Sequence, residues 1–97
     1  LTAGVGAANS AVMASVEIYT QNFCPYCERA LALLAKKGVA VTEHHAPNGS
    51  AARQEALARS GGRTSVPQIF IGGQHIGGCD DMMALERAGK LDALLAG

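Results

Sequence analysis

Two cysteines three positions apart, Cys24-Pro25-Tyr26-Cys27, stand between a run patterned like a strand and a run patterned like a helix. That placement constrains the fold more than any other feature of the chain. Ser15-Val16-Glu17-Ile18-Tyr19-Thr20 alternates with β-branched residues on one face and reads as a strand. Pro25 suits the first helical position, where its missing N–H has no intrahelical partner to lose. Ala30, Leu31, Leu33 and Leu34 then give an apolar stripe to a helix ending near Lys37. Lys36 and Lys37 oppose the negative helix end, and Gly38 is a stop signal. Val39-Ala40-Val41-Thr42-Glu43 reads as a second strand. A strand, a helix and a strand in so short a span predict a parallel pair joined by a right-handed crossover.

The remainder extends this unit. Pro47-Asn48-Gly49-Ser50 is turn chemistry, and either Asn48 or Ser50 can cap a helix over about residues 51–59 with a thin apolar face of Ala52, Ala56 and Leu57. Gly61-Gly62 ends it. Gln68-Ile69-Phe70-Ile71 and Gln74-His75-Ile76 flank Gly72-Gly73, a two-residue hairpin signal. Gly77-Gly78-Cys79-Asp80-Asp81 opens a further helix to about Ala88, and Leu91, Leu94 and Leu95 suggest a short last one. The order β-α-β-α-β-β-α predicts an α/β fold with a mixed four-stranded sheet flanked by helices. Residues 1–13 are uncharged, small and weakly polar, lacking the basic start of a secretory signal. They are expected to be an extension or tag remnant, with residues 14–97 forming one domain.

The spacing of Cys24 and Cys27 sets two sulfurs on one helical face, within the separation that a disulfide spans. With Pro25 as the first helical residue, Cys24 is the cap. Its sulfur then faces the unpaired N–H groups of Tyr26 and Cys27 and the positive end of the helix dipole. Those groups favour the thiolate, the reactive form. Cys27, one turn further in, gains less. The asymmetry assigns attack to Cys24 and resolution to Cys27. Two other readings stand beside this one: an inert structural disulfide, and a zinc site built from Cys24, Cys27, His75 and Cys79.

Composition narrows the class. Three cysteines, an odd number with two of them close together, suit a reducing compartment better than a disulfide scaffold. Eight Lys and Arg balance eight Asp and Glu, so no strong field exists to capture nucleic acid or an anionic membrane. No apolar run approaches the roughly 20 residues of a membrane-spanning helix. The expectation is a cytoplasmic monomer with neither nucleic-acid nor membrane partners.

Four stretches together resemble the glutaredoxin family, specifically its bacterial dithiol class. They are Val16-Glu17-Ile18-Tyr19-Thr20, Cys24-Pro25-Tyr26-Cys27, Val66-Pro67-Gln68-Ile69-Phe70-Ile71 and Gly77-Gly78-Cys79-Asp80-Asp81. The resemblance implies a thioredoxin-like fold and a glutathione-dependent thiol–disulfide oxidoreductase acting on glutathionylated or disulfide-bonded proteins. Glutathione is then a co-substrate, no metal is expected, and Cys24 and Cys27 are catalytic. The resemblance implies glutathione contacts at Tyr26, Arg53, Ser65, Val66, Pro67, Gly78, Cys79 and Asp80. It also implies a cis Val66–Pro67 bond that exposes the Val66 backbone to the cysteinyl part of glutathione. The start of the Cys79 helix would hold the γ-glutamyl carboxylate, with Asp80 accepting from the amino group. Asp80 or Asp81 can equally cap that helix.

Cys79 is expected to contribute backbone rather than redox chemistry, although its helix terminus can lower its pKa. His44, His45 and His75 read as surface or satisfied histidines. One departure stands out: Gln21 lies where many relatives carry a nearby lysine, which leaves Arg53 as the cation for a carboxylate. A different function class, iron–sulfur cluster carriage by a dimer through Cys24 and glutathione, is the alternative the resemblance raises. Pro25 and the competing Cys27 argue against it.

Overall fold

The computed structural model describes residues 13–97, so the proposed extension lies outside the described residues apart from Met13. Four strands, β1 (Val16–Thr20), β2 (Val41–His45), β3 (Gln68–Ile71) and β4 (Gln74–Gly77), form one sheet in the order β2-β1-β3-β4. β1 and β2 run parallel, while β1–β3 and β3–β4 are antiparallel. Four helices complete the described residues: α1 (Pro25–Lys36), α2 (Ala51–Arg59), α3 (Cys79–Arg87) and the short α4 (Leu91–Leu95). The order matches the one read from the sequence.

Alternation along β1 builds two cores. Val16 and Ile18 point to one face, where Ala30 and Leu34 of α1, Met82 of α3, and Leu91 and Leu95 of α4 bury them with Ile69 and Ile71. Each such aliphatic side chain contributes on the order of 1.5–3 kcal/mol when fully buried. Tyr19 points to the other face, against Phe70, Ala46 and Ala56 of α2. Ser50 is the α2 cap, its Oγ accepting from Arg53 N–H at 3.1 Å. Lys37, just past α1, bridges Glu86 of α3 and Asp92 of α4 at 2.8 Å each and clamps the helical layer.

β2 is displaced from its expected range. The apolar run suggested residues 39–43, yet pairing runs from Val16↔Val41 to Thr20↔His45. Val39 packs against the core as a lead-in. His44 extends the strand because its ring lies 4.7 Å from that of Tyr19 and its Nε2 lies 3.1 Å from Glu17 Oε1. An edge strand has one face to cover, so polar residues continue it where an apolar pattern stops.

Under α2, Arg59 joins this cluster. Its guanidinium donates to both Glu17 carboxylate oxygens at 2.9 and 3.1 Å and to Tyr19 Oη at 2.7 Å, and lies 4.0 Å from the Phe70 ring centroid. Tyr19 in turn donates to Glu55. The Arg59 hydrogen bonds hold the Glu17 carboxyl at about 2, down from its ordinary 4.5. A carboxyl depressed in the folded state stabilises the fold above its unfolded pKa. That stabilisation disappears as pH falls from about 4.5 to about 2. Urea midpoints measured across this window should therefore fall towards acid, and Arg59→Met should flatten that part of the profile. An identical acid limb in wild type and Arg59→Met would refute the assignment.

Candidate active site

Both cysteines sit where β1 hands over to α1. Cys24 is the N-cap with extended backbone, and its Sγ accepts from Cys27 N–H at 3.2 Å. The two are joined as a disulfide with Cα atoms 5.2 Å apart. Cys24 is 8% exposed and Cys27 2%, so the cap sulfur is the one an incoming group can reach. In the reduced pair the same N–H and the helix dipole face Cys24.

Val66–Pro67 is cis, and the Val66 carbonyl oxygen lies 3.9 Å from Cys24 Sγ. The loop is anchored from beneath. Gln68, fully buried, donates from Nε2 to Ser65 O at 2.9 Å, while its Oε1 lies 2.7 Å from His75 Nε2. Because the Gln68 amide nitrogen is already a donor, its oxygen needs a donor, which fixes the Nε2–H tautomer of His75. Burial, then the nearby Arg63 charge, pushes the His75 pKa down. His75 and His44 are thus satisfied histidines, as expected.

A cleft of about 180 Å³ opens beside the disulfide. Tyr26, Ser65, Val66 and Pro67 line it together with Gly78, Cys79 and Asp80. Seven of the eight residues expected to meet glutathione are therefore gathered in one place. Arg53 is the exception and is absent from the cleft lining. Its guanidinium donates to Thr64 O at 3.2 and 2.9 Å, Ala46 O at 2.8 Å and Gln21 Oε1 at 2.9 Å. It ties together the loops after β1 and β2 and before β3, and Gln21 serves as an acceptor for it.

Two lining residues were not anticipated there: Arg63 and, as more than a cap, Asp81. Asp81 Oδ2 accepts from Gly78 N–H at 2.8 Å and from Arg63 Nη1 at 3.0 Å. The backbone donor first, and Arg63 second, hold its carboxyl below the usual range. Gly78 is the N-cap of α3 and Asp81, the third helical residue, reaches back to its N–H, which leaves the neighbouring, exposed Asp80 at the cleft lip. Arg63 carried no sequence signal, because its proximity to Asp81, 18 positions further on, depends on how the intervening β3–β4 hairpin folds back.

Cys79 is buried and unpaired. A helix start can lower a thiol pKa, but burial pushes this one up, with Asp80 adding to the rise. Desolvation outweighs the terminus here. Among the described residues, no three His, Cys, Asp or Glu side chains gather as a metal-ligand set. The four residues of the zinc reading are thus not brought together, and Cys24 and Cys27 are bonded to each other instead.

The family model described as Glutaredoxin matches residues 16–76. The chain belongs to the glutaredoxin family. It is 59% identical over 83 residues to "Glutaredoxin 3" of Escherichia coli K12, spanning 86% of this chain and 99% of that protein. The solution structure of glutaredoxin from Brucella melitensis superposes with a TM-score of 0.76 at 54% identity, over 88% of this chain and 91% of that one. A buckwheat glutaredoxin–glutathione complex gives 0.75 at 32% identity, covering 93% and 84%. The thioredoxin-like fold and membership of the dithiol, CPYC-type class agree with the sequence reading. This glutaredoxin is a thiol–disulfide oxidoreductase. No helix among the described residues is long and apolar enough to cross a membrane.

Proposed function

We propose that this glutaredoxin reduces glutathione mixed disulfides and protein disulfides with glutathione as electron donor, Cys24 attacking and Cys27 resolving. The observation that carries the reading is the juxtaposition of a capped Cys24 sulfur, 3.2 Å from Cys27 N–H, with a cleft lined by polar backbone and both charge signs. In the first step the Cys24 thiolate attacks the glutathionyl sulfur of a mixed disulfide. A Cys24–glutathione bond forms, the protein–sulfur bond breaks, and the protein thiolate leaves to take a proton. A second glutathione thiolate then attacks that glutathionyl sulfur, releasing glutathione disulfide and restoring the Cys24 thiolate. For a protein disulfide, Cys24 forms the mixed disulfide and the Cys27 thiolate attacks Cys24 Sγ, expelling the second protein thiolate. Two glutathiones then reduce the Cys24–Cys27 bond.

Glutathione carries two carboxylates and one ammonium, and the cleft has counterparts for them. The Val66 backbone pairs with the cysteinyl part beside Cys24. Tyr26 and Pro67 flank it, and Ser65 borders it. The N–H groups of Cys79 and Asp80 receive the γ-glutamyl carboxylate, and the Asp80 carboxylate accepts from the amino group. Arg63 supplies positive charge at the same rim, and Arg53 acts by holding the Thr64 carbonyl next to Ser65. Substrates are glutathionylated or disulfide-bonded proteins, and the setting is a monomer in the cytoplasm. Iron–sulfur carriage would compete for the sulfur that Cys27 occupies. Visible absorption after anaerobic purification would reveal it.

The test is turnover of a small glutathione mixed disulfide with glutathione, glutathione reductase and NADPH, read as NADPH loss. Turnover that depends on glutathione supports the reading, and none in fully reduced protein overturns it. Asp80→Ala should raise the KM for glutathione about tenfold, as expected for one lost charged hydrogen bond. An unchanged glutathione KM would remove Asp80 from the site.

A further inference from the structure

Phe23 is the one non-glycine residue with positive φ among the described residues, at 56°, and its side chain is 98% exposed. Both features are unfavourable in the isolated molecule. The left-handed region crowds the Cβ of a bulky residue, and glycine would adopt this turn more readily. The exposed ring keeps its apolar surface in water. Strained, unpaired residues of this kind concentrate where a partner is engaged, and Phe23 directly precedes Cys24.

The surroundings say which partner. Cys24 is 8% exposed, with Tyr26, 53% exposed, on the cleft side. Phe23 does not line the cleft. In a disulfide exchange the attacking, central and leaving sulfurs approach a line. With the glutathionyl half seated in the cleft, the leaving half must extend beyond it. The exposed residues that flank Cys24 off the cleft lining are Asn22, Phe23 and Pro25, which offer no charge and one large ring. They therefore select by apolar contact.

We propose that Phe23 is a specificity-determining residue whose ring receives the protein half of a glutathione mixed disulfide and favours substrates with a large aliphatic side chain beside the modified cysteine. The inference rests on the glutathione reading above. It adds no chemical step, because the exchange is the one already balanced. A phenylalanine side chain is suited to this, since it has only two rotatable torsions to lose on contact.

The test compares two short glutathionylated peptides, with leucine or with serine on both sides of the cysteine, alongside glutathione–cysteamine disulfide. Wild type should show kcat/KM about tenfold higher for the leucine peptide, the scale of burying part of one aliphatic side chain. Phe23→Ala and Phe23→Gly should bring that ratio close to one, while Phe23→Leu should retain most of it. The glycine variant fits the positive φ, so a lost preference there reports the ring and not the turn. No leucine preference in wild type, or the same preference in wild type and both small variants, overturns the proposal. Failure to turn over glutathione–cysteamine disulfide in wild type would instead overturn the glutathione reading on which it rests.

Discussion

Cys24→Ser should lower exchange with every disulfide substrate by at least about 10³-fold, to the uncatalysed background, because a serine hydroxyl is not ionised near neutrality and forms no disulfide. Cys27→Ser should behave differently. Its turnover of small glutathione mixed disulfides should stay within a few-fold of wild type, since that cycle needs one sulfur and two glutathiones. Reduction of protein disulfides through the dithiol route should be lost, and the Cys24–protein mixed disulfide should accumulate on non-reducing gels. The difference follows from burial and hydrogen bonding. Cys24 is the more exposed sulfur and accepts the Cys27 N–H, whereas Cys27 lies inside the first turn at 2% exposure. Equal losses for the two variants in both assays would overturn the division of roles.

The parts of the molecule that were legible in the sequence are those fixed by local chemistry. Pro25 at the first helical position, the stripe Ala30–Leu34, and the glycine pair between Ile71 and Gln74 each have short-range causes, and each element appears where it was expected. The cleft was largely legible too, because three motifs in register carried it. What escaped depends on contacts between distant residues. Arg53 lies on the predicted helix, yet its destination is set by three carbonyl groups from loops that only the fold assembles. Arg63 reaches Asp81 for the same kind of reason. β2 extends through His44 because Glu17 and Tyr19, both on β1, receive its ring. Cys79 is the small buried residue expected at a helix start, but the direction of its ionisation is decided by packing against the core, which sequence position does not show. Periodicity sees one element at a time, and these effects need two.

Gly77→Ala should be the most destabilising single-methyl change near the site, at about 2–4 kcal/mol, because two independent costs coincide. Gly77 has φ +120, a conformation L side chains rarely adopt, and a Cβ there would collide with the Asp81 carboxylate. Asp81 cannot simply swing away, since it caps α3 through Gly78 N–H and pairs with Arg63. Asp81→Ala alone should cost about 1 kcal/mol, the scale of one lost hydrogen bond to the Gly78 N–H. In the double variant the carboxylate is gone, the nearest contact becomes the Cβ of residue 81 at 2.9 Å and the φ cost remains, so the two single losses should sum to more than the measured total. Urea unfolding gives these energies, and the glutathione KM reports whether the cleft follows. A raised KM in Gly77→Ala that recovers partly in the double variant would tie the Asp81 carboxylate to the shape of the cleft wall. A Gly77→Ala midpoint equal to wild type would instead mean that the β4–α3 corner yields freely. The backbone N–H groups of Cys79 and Asp80 could not then be a rigid receptor for a carboxylate.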